Sequence, residues 1–208
     1  MSTMPDHPIL GDIRTARPDL RLLTEAAETV EYRRDETDFI PYGQPLAVAF
    51  PTSTEDVSAV VRACAVHKVP VVARGGGSGL SGGANAMDGW IVLAMSGMDR
   101  IIEIDPDNLV VVTQPGVITA DLEAAVEAQD LLYPPDPASH ELSFIGGNIA
   151  ENAGGLRCVK YGVTADYVLG LEVVLADGAV IRTGGTVVKD VMGYDLTRLF
   201  VGSEGTLG

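Results

Sequence analysis

Between two apolar segments, VPVVA at 69–73 and IVLAM at 91–95, the chain runs through Arg74-Gly-Gly-Gly-Ser-Gly-Leu-Ser-Gly-Gly83. A glycine-rich stretch pinned at both ends by core-forming strands is not a floppy linker. Its glycines at 75, 76, 77 and 79 permit positive φ and close backbone approach. A loop with so few side chains can turn successive N–H groups inward as an anion nest. Ser78 and Ser81 add hydroxyl donors, and Arg74 at the mouth can offset phosphate charge. Gly77-x-Gly79-x-x-Gly82 also spells the G-x-G-x-x-G of nicotinamide-binding folds. That fingerprint requires a helix to open inside the motif so that its N-terminus faces the pyrophosphate. Here GGANAMDG (82–89) follows, with three glycines, an Asn and no helical apolar repeat, and a strand begins at once. The Rossmann reading therefore ranks below a nest.

The neighbouring segments set the frame. Residues 46–50 (LAVAF) read as a strand, and PTSTED (51–56) as a helix start with hydroxyl caps and early acids. Val57, Val60, Val61, Cys64 and Ala65 continue it at helical spacing. With 69–73 as the next strand, this is a β-α-β unit with parallel strands. Residues 101–104 and 109–113 flank the turn DPDN and predict a hairpin. Thr119 is expected to cap a helix carrying Leu122, Ala125 and Val126 on one face. Residues 133–155 read as irregular, 169–176 and 179–183 as a hairpin about Asp177-Gly178, and 195–201 as a short helix. Residues 1–43 read as a leader with a short helix over 20–30, followed by a polar, turn-rich stretch.

The 208 residues carry 29 acidic against 14 basic side chains, a net charge of −15. That balance argues against nucleic acid as a partner but leaves room for an anionic cofactor held by local N–H groups. Two cysteines outside any C-x-x-C, no signal-like apolar stretch and no membrane span predict a cytoplasmic protein. No H-x-x-x-H or similar cluster predicts a metal. His7 lies in the leader, His67 closes a helix, and His140 reads as a solvated loop histidine.

Four ordered blocks carry a resemblance: RGGGSGLSGG (74–83), PPDPAS (134–139), FIGGNIAENAGGLRCVKYG (144–162) and KDVMGYDLTRLFVGSEGTLG (189–208). Together they resemble the FAD-binding domain shared with p-cresol methylhydroxylase and vanillyl-alcohol oxidase. The similarity is greatest to the branch holding the glycolate oxidase FAD subunit, D-lactate dehydrogenase and D-2-hydroxyglutarate dehydrogenase. It runs from about residue 44 to residue 208.

The resemblance implies an α+β fold of two subdomains, 44–100 with parallel strands and 101–208 with a mainly antiparallel sheet and flanking helices. FAD would lie in the cleft between them. Carried over residue by residue, Arg74, Gly75, Gly76, Gly77, Ser78, Gly79 and Leu80 bind its diphosphate. Pro135, Asp136 and Ser139 lie along it, and Gly146, Gly147, Asn148, Asn152, Gly154 and Gly155 wrap the ribityl and flavin part. Glu204 and Gly205 lie in the closing segment, near the adenine end or the cleft. Some members attach FAD through a loop histidine; Ser78 stands about there, so non-covalent FAD is expected. The implied reaction is hydride transfer from the α-carbon of a small 2-hydroxy acid, with other subunits or a quinone as candidate electron acceptors. A C-terminal substrate domain, which in that branch supplies much of this and often a metal site, is expected to be absent from this chain. The expectation is therefore a truncated domain inactive alone, with a non-catalytic FAD-binding module or subunit as the alternative. No catalytic residue is assigned.

Overall fold

A computed structural model describes residues 7–208. The chain forms two compact units, residues 1–97 with 174–180, and residues 98–173 with 181–208. Mixed parallel and antiparallel strands with separate helices make it an α+β protein.

In the first unit, β1 (Arg21–Leu23), β2 (Ala47–Phe50), β3 (Val71–Arg74) and β4 (Ile91–Ala94) make one sheet in the order β1-β2-β4-β3. β4 pairs in parallel with both β2 and β3. Both faces of the sheet are covered, which is why its central strands read as continuous apolar runs. Ala47, Ala49, Ile91 and Leu93 face one core; Val48, Phe50, Val92 and Ala94 face another, with Trp90 and Tyr32 packed against it.

The helix α2 (Thr54–His67) starts where the hydroxyl-rich segment predicts it. Ser53 is its N-cap and accepts a hydrogen bond from the Asp56 N–H at 3.2 Å. The Asp56 carboxylate reaches back to the Thr52 N–H at 2.9 Å, so two orphan donors are satisfied reciprocally. Val60, Val61 and Cys64 are buried, whereas Ala65 faces solvent. Burial pushes the Cys64 thiol up to about 12, so it stays an inert core group.

The N-terminal segment differs from expectation. The helix α1 lies at Pro8–Ala16, not over 20–30, and residues 21–23 are the antiparallel edge strand of the sheet. Ile9 and Ile13 are fully buried and Leu10 is 5% exposed, in the same core as α2. Spacing i, i+1, i+4 places these three on one stripe, with Pro8 at the first helical turn. Residues 24–30 lack such a stripe because Glu25, Glu28, Ala26 and Ala27 interrupt it. The segment is thus part of the first unit, not a leader beside it.

In the second unit, β5 (Ile101–Asp105) and β6 (Val110–Thr113) form the predicted hairpin. The helix α3 (Thr119–Glu127) has Ile118 as N-cap, with no side-chain cap. Thr119 is instead the first helical residue, and its buried hydroxyl bonds the Ser143 carbonyl at 3.0 Å. α4 (Ile145–Glu151) and α5 (Cys158–Tyr161) follow. Val117, Leu122, Val126 and Ile145 form this unit's core. β7 (Gly170–Val174) and β8 (Val180–Gly184) make the second hairpin, whose turn, with Gly178 at φ +82°, belongs to the first unit. α6 (Thr197–Phe200) completes the unit.

Candidate functional site

The glycine loop leaves the carboxyl end of β3 and contains no helix from 75 to 90. It is strapped by the segment 33–43, which reads in sequence only as polar turns. Asp35, 4% exposed, accepts from the Gly82 N–H at 2.8 Å through Oδ2 and from the Thr37 N–H at 2.9 Å through Oδ1. Buried Asn85 accepts from the Asp35 N–H at 2.8 Å and donates to the Ile40 carbonyl at 3.3 Å. The Gly79 carbonyl accepts from the Glu36 N–H at 3.0 Å, and the Ala86 N–H donates to the Arg33 carbonyl at 2.9 Å. These bonds hold both ends and the middle of the loop. Sequence reading missed Asp35 and Asn85, because their roles depend on a pairing 50 residues apart.

Within the strapped loop, the backbone N–H groups of residues 76–80 have no hydrogen-bond partner among the described residues. A rigid loop with a run of unspent donors is what an anion nest requires. Gly77 and Gly82 take positive φ, +75° and +79°; Gly75, Gly76 and Gly79 do not. A Cβ on Gly77 would collide with the Arg74 guanidinium, which lies directly beneath the loop. Arg74 donates to the Arg34 carbonyl at 2.6 Å and stands over the Tyr32 ring at 6.0 Å. Burial pulls its guanidinium below the ordinary range, against the opposing fields of Asp35, Tyr32 and Glu36. A phosphate nearby would favour the charged form that burial penalises. Ser78 is half-buried and Leu80 exposed.

The second unit gathers the remaining predicted residues around α4. The expected irregular stretch 133–155 contains this helix, with Gly146 and Gly147 in its first turn. Two adjacent glycines oppose a helix by propensity, and tertiary contact overrides it. The Gly146 N–H donates to the Pro115 carbonyl at 2.8 Å, and a Cβ there would lie 2.6 Å from Pro115 Cβ. Gly147 has nothing within 4 Å of its Cβ position. No packing contact requires a glycine there.

Asn148 and Asn152 do not present free amides as a pair. Asn148 is 4% exposed and donates to the Thr119 hydroxyl at 2.6 Å, tying α4 to α3. Asn152 caps α4 in the left-handed region, and its Oδ1 accepts from the Ala165 N–H at 2.8 Å. The closing segment docks here too: the Glu204 N–H donates to the Ala150 carbonyl at 2.9 Å, and Gly202 to Ile149 at 3.0 Å. Glu204 and Gly205 both take positive φ.

The 134–140 run and the 154–157 segment are in contact. Gly155 lies directly against the Asp136 carbonyl, where any Cβ would overlap backbone, whereas Gly154 has room. Arg157 Nε is 3.3 Å from Asp136 Oδ2. Pro135 is buried, and the Ser139 carbonyl accepts from Ser143 at 2.7 Å. His140 is not a free solvated side chain: its Nδ1 is 2.9 Å from Glu123 Oε2. The contact with Glu123 raises the imidazole above its usual range.

A glycine loop after a parallel strand, with no helix opening in it, sets the chain outside the Rossmann class. Comparison with known proteins agrees. The chain belongs to the family described as FAD binding domain, which it matches over residues 45–184. It is 58% identical over 164 residues to the glycolate oxidase subunit GlcD of Bacillus subtilis (strain 168), covering 79% of this chain and 35% of that protein. It is 44% identical over 178 residues to a D-lactate dehydrogenase of Anaerostipes hadrus, covering 86% of this chain and 37% of that one. In fold it is similar to a solved alkyldihydroxyacetonephosphate synthase, with a TM-score of 0.85, 22% identity, and coverage of 100% of this chain and 40% of that one. The chain thus spans little more than a third of these two curated relatives. FAD is its cofactor.

Proposed function

We propose that this chain is the FAD-binding portion of a flavoenzyme that oxidises a small 2-hydroxy acid. The observation that carries the reading is the run of unpartnered N–H groups at 76–80 over the Arg74 guanidinium. Arg74, Gly75, Gly76, Gly77, Ser78, Gly79 and Leu80 hold the diphosphate by backbone donation and local positive charge. Gly147 offers a bare approach for the ribityl and flavin part, with Pro135, Asp136, Ser139, Gly154 and Gly155 along it. Asn148 and Asn152 position α4, Gly202 and Glu204 brace its C-terminal carbonyls, and Gly205 follows in the same closing segment. FAD supplies a hydride acceptor; the protein's part is to bind and orient it.

The loop has no histidine to bond the flavin, which supports non-covalent binding. The similarity to GlcD and D-lactate dehydrogenase supports glycolate- or D-lactate-like substrates. The base that takes the hydroxyl proton and the cation that clamps the carboxylate belong, on this reading, to sequence beyond the part similar here. Electrons pass on to another subunit or a quinone. Among the described residues no helix is long and apolar enough to cross a membrane; the proposed location is the cytoplasm.

Heating the purified chain and identifying what it releases tests the cofactor: FAD in the supernatant, with none left on the precipitate, is expected. Gly77→Val tests the nest. A branched side chain at φ +75° is strained and strikes Arg74, so FAD retention should fall at least tenfold. Full FAD content in that variant would refute the assignment, and a colourless wild type that binds NAD would refute the reading altogether.

A further inference from the structure

Glu123 projects from α3, while Asp136 and His140 stand four residues apart on the run that follows it. One ligand atom from each of the three lies within 4.8 Å of the other two. Asp136 meets Arg157 through Oδ2, which leaves its second oxygen for another partner. An independent observation comes from Glu123. Its side chain is 14% exposed, and its Oε1 is buried with no hydrogen-bond partner. A carboxylate oxygen taken out of water without a donor costs roughly 1–3 kcal/mol or more. Such an orphan calls for an ion or an ordered water.

The donor set says which ion. One imidazole nitrogen with two carboxylates suits a borderline cation of the zinc class, whereas magnesium and calcium prefer all-oxygen shells. Bond lengths of about 2.0–2.2 Å require the three atoms to draw slightly closer than they stand. Rotation of the His140 side chain, 36% exposed, supplies that movement. Arg157 on the outer oxygen of Asp136 fixes its orientation, as supporting partners do around metal ligands.

We propose that Glu123, Asp136 and His140 bind one zinc-class divalent cation, with solvent completing its coordination. The ion ties α3 to the 134–140 run and gives Glu123 Oε1 its missing partner. The proposal does not depend on the flavin reading, although it stiffens the run that reading places along the cofactor.

The test uses the 208-residue chain, stripped with a chelator, dialysed, and titrated with zinc chloride or magnesium chloride. Bound metal, FAD content and Tm are read on each sample. One equivalent of zinc and no magnesium should bind, and zinc should raise Tm. Glu123→Gln and His140→Asn should each weaken zinc at least tenfold and lose the rise in Tm. Cys158→Ser should bind zinc as the wild type does, and circular dichroism establishes that each variant is folded. No zinc on folded wild type overturns the proposal. So does equal zinc on the folded Glu123→Gln and His140→Asn chains, which would mark uptake as adventitious. Zinc bound without FAD, or FAD without zinc, separates this inference from the proposed function.

Discussion

Adding one methyl at Gly147 should pull two properties of the protein in opposite directions. The position lies in the first turn of α4, and nothing lies within 4 Å of where its Cβ would sit. With no clash, Gly147→Ala gains helix propensity and loses unfolded-state freedom, worth about 0.5–1 kcal/mol. For a chain near 200 residues that is a Tm rise of roughly 1–4 °C without FAD. If the flavin part packs against this bare backbone, the same methyl should weaken FAD at least tenfold, about 1.4 kcal/mol. Gly146→Ala is the internal control. Its Cβ would lie 2.6 Å from Pro115 Cβ and 3.0 Å from the Pro115 carbonyl oxygen. Overpacking of that kind costs about 1–3 kcal/mol, so Tm should fall. Thermal melts of FAD-free protein and quenching of FAD fluorescence measure both quantities. FAD affinity unchanged in Gly147→Ala would refute the cofactor's approach there, and a lowered Tm would refute the open space.

Two further expectations concern the first unit. Ile13→Ala removes a fully buried side chain from the core it shares with α2, and should cost about 2–5 kcal/mol in chemical denaturation; a cost under 0.5 would mean that α1 is not docked. Asp56 carries the pH dependence. Burial acts to raise its carboxyl, but hydrogen bonds from the Thr52 N–H and hydroxyl, from Arg17 at 2.5 Å and from Ser53 together hold it below the ordinary range. A carboxyl depressed in the folded state stabilises above its unfolded value and loses that contribution as pH falls through the folded one. Asp56→Asn should therefore be about 1–2 kcal/mol less stable than wild type at neutral pH, by the loss of a capping carboxylate. The gap should close as acid protonates the wild-type group, and a gap that stays constant to below pH 3 would contradict the charge argument.

How much of this was legible beforehand varies element by element. The apolar runs at 47–50 and 91–94, the hydroxyl-and-acid start of α2 and the Asp-Gly turn at 177–178 are local signals. Each is written in residues a few positions apart, so periodicity and capping chemistry suffice to read them. The absence of a helix in the glycine loop was equally readable, because 82–89 offers no apolar stripe for one. The helix over 145–151 was not. Its paired glycines argue against it, and only Pro115 closing on Gly146 makes them necessary.

The sequence by itself determined the strands at 47–50 and 91–94, the start of α2, the Asp-Gly turn, and that residues 74–83 form a glycine loop with no helix in it. It did so because those choices rest on neighbours along the chain. The tertiary structure alone decided that α1 fills the first core, that Asp35 and Asn85 strap the loop, and that Glu123 meets His140. Those outcomes depend on groups 17 to 50 residues apart and on burial that no local pattern encodes. Desolvation then decides what such groups do: it leaves Glu123 Oε1 short of a partner and pulls the Arg74 guanidinium below its ordinary range.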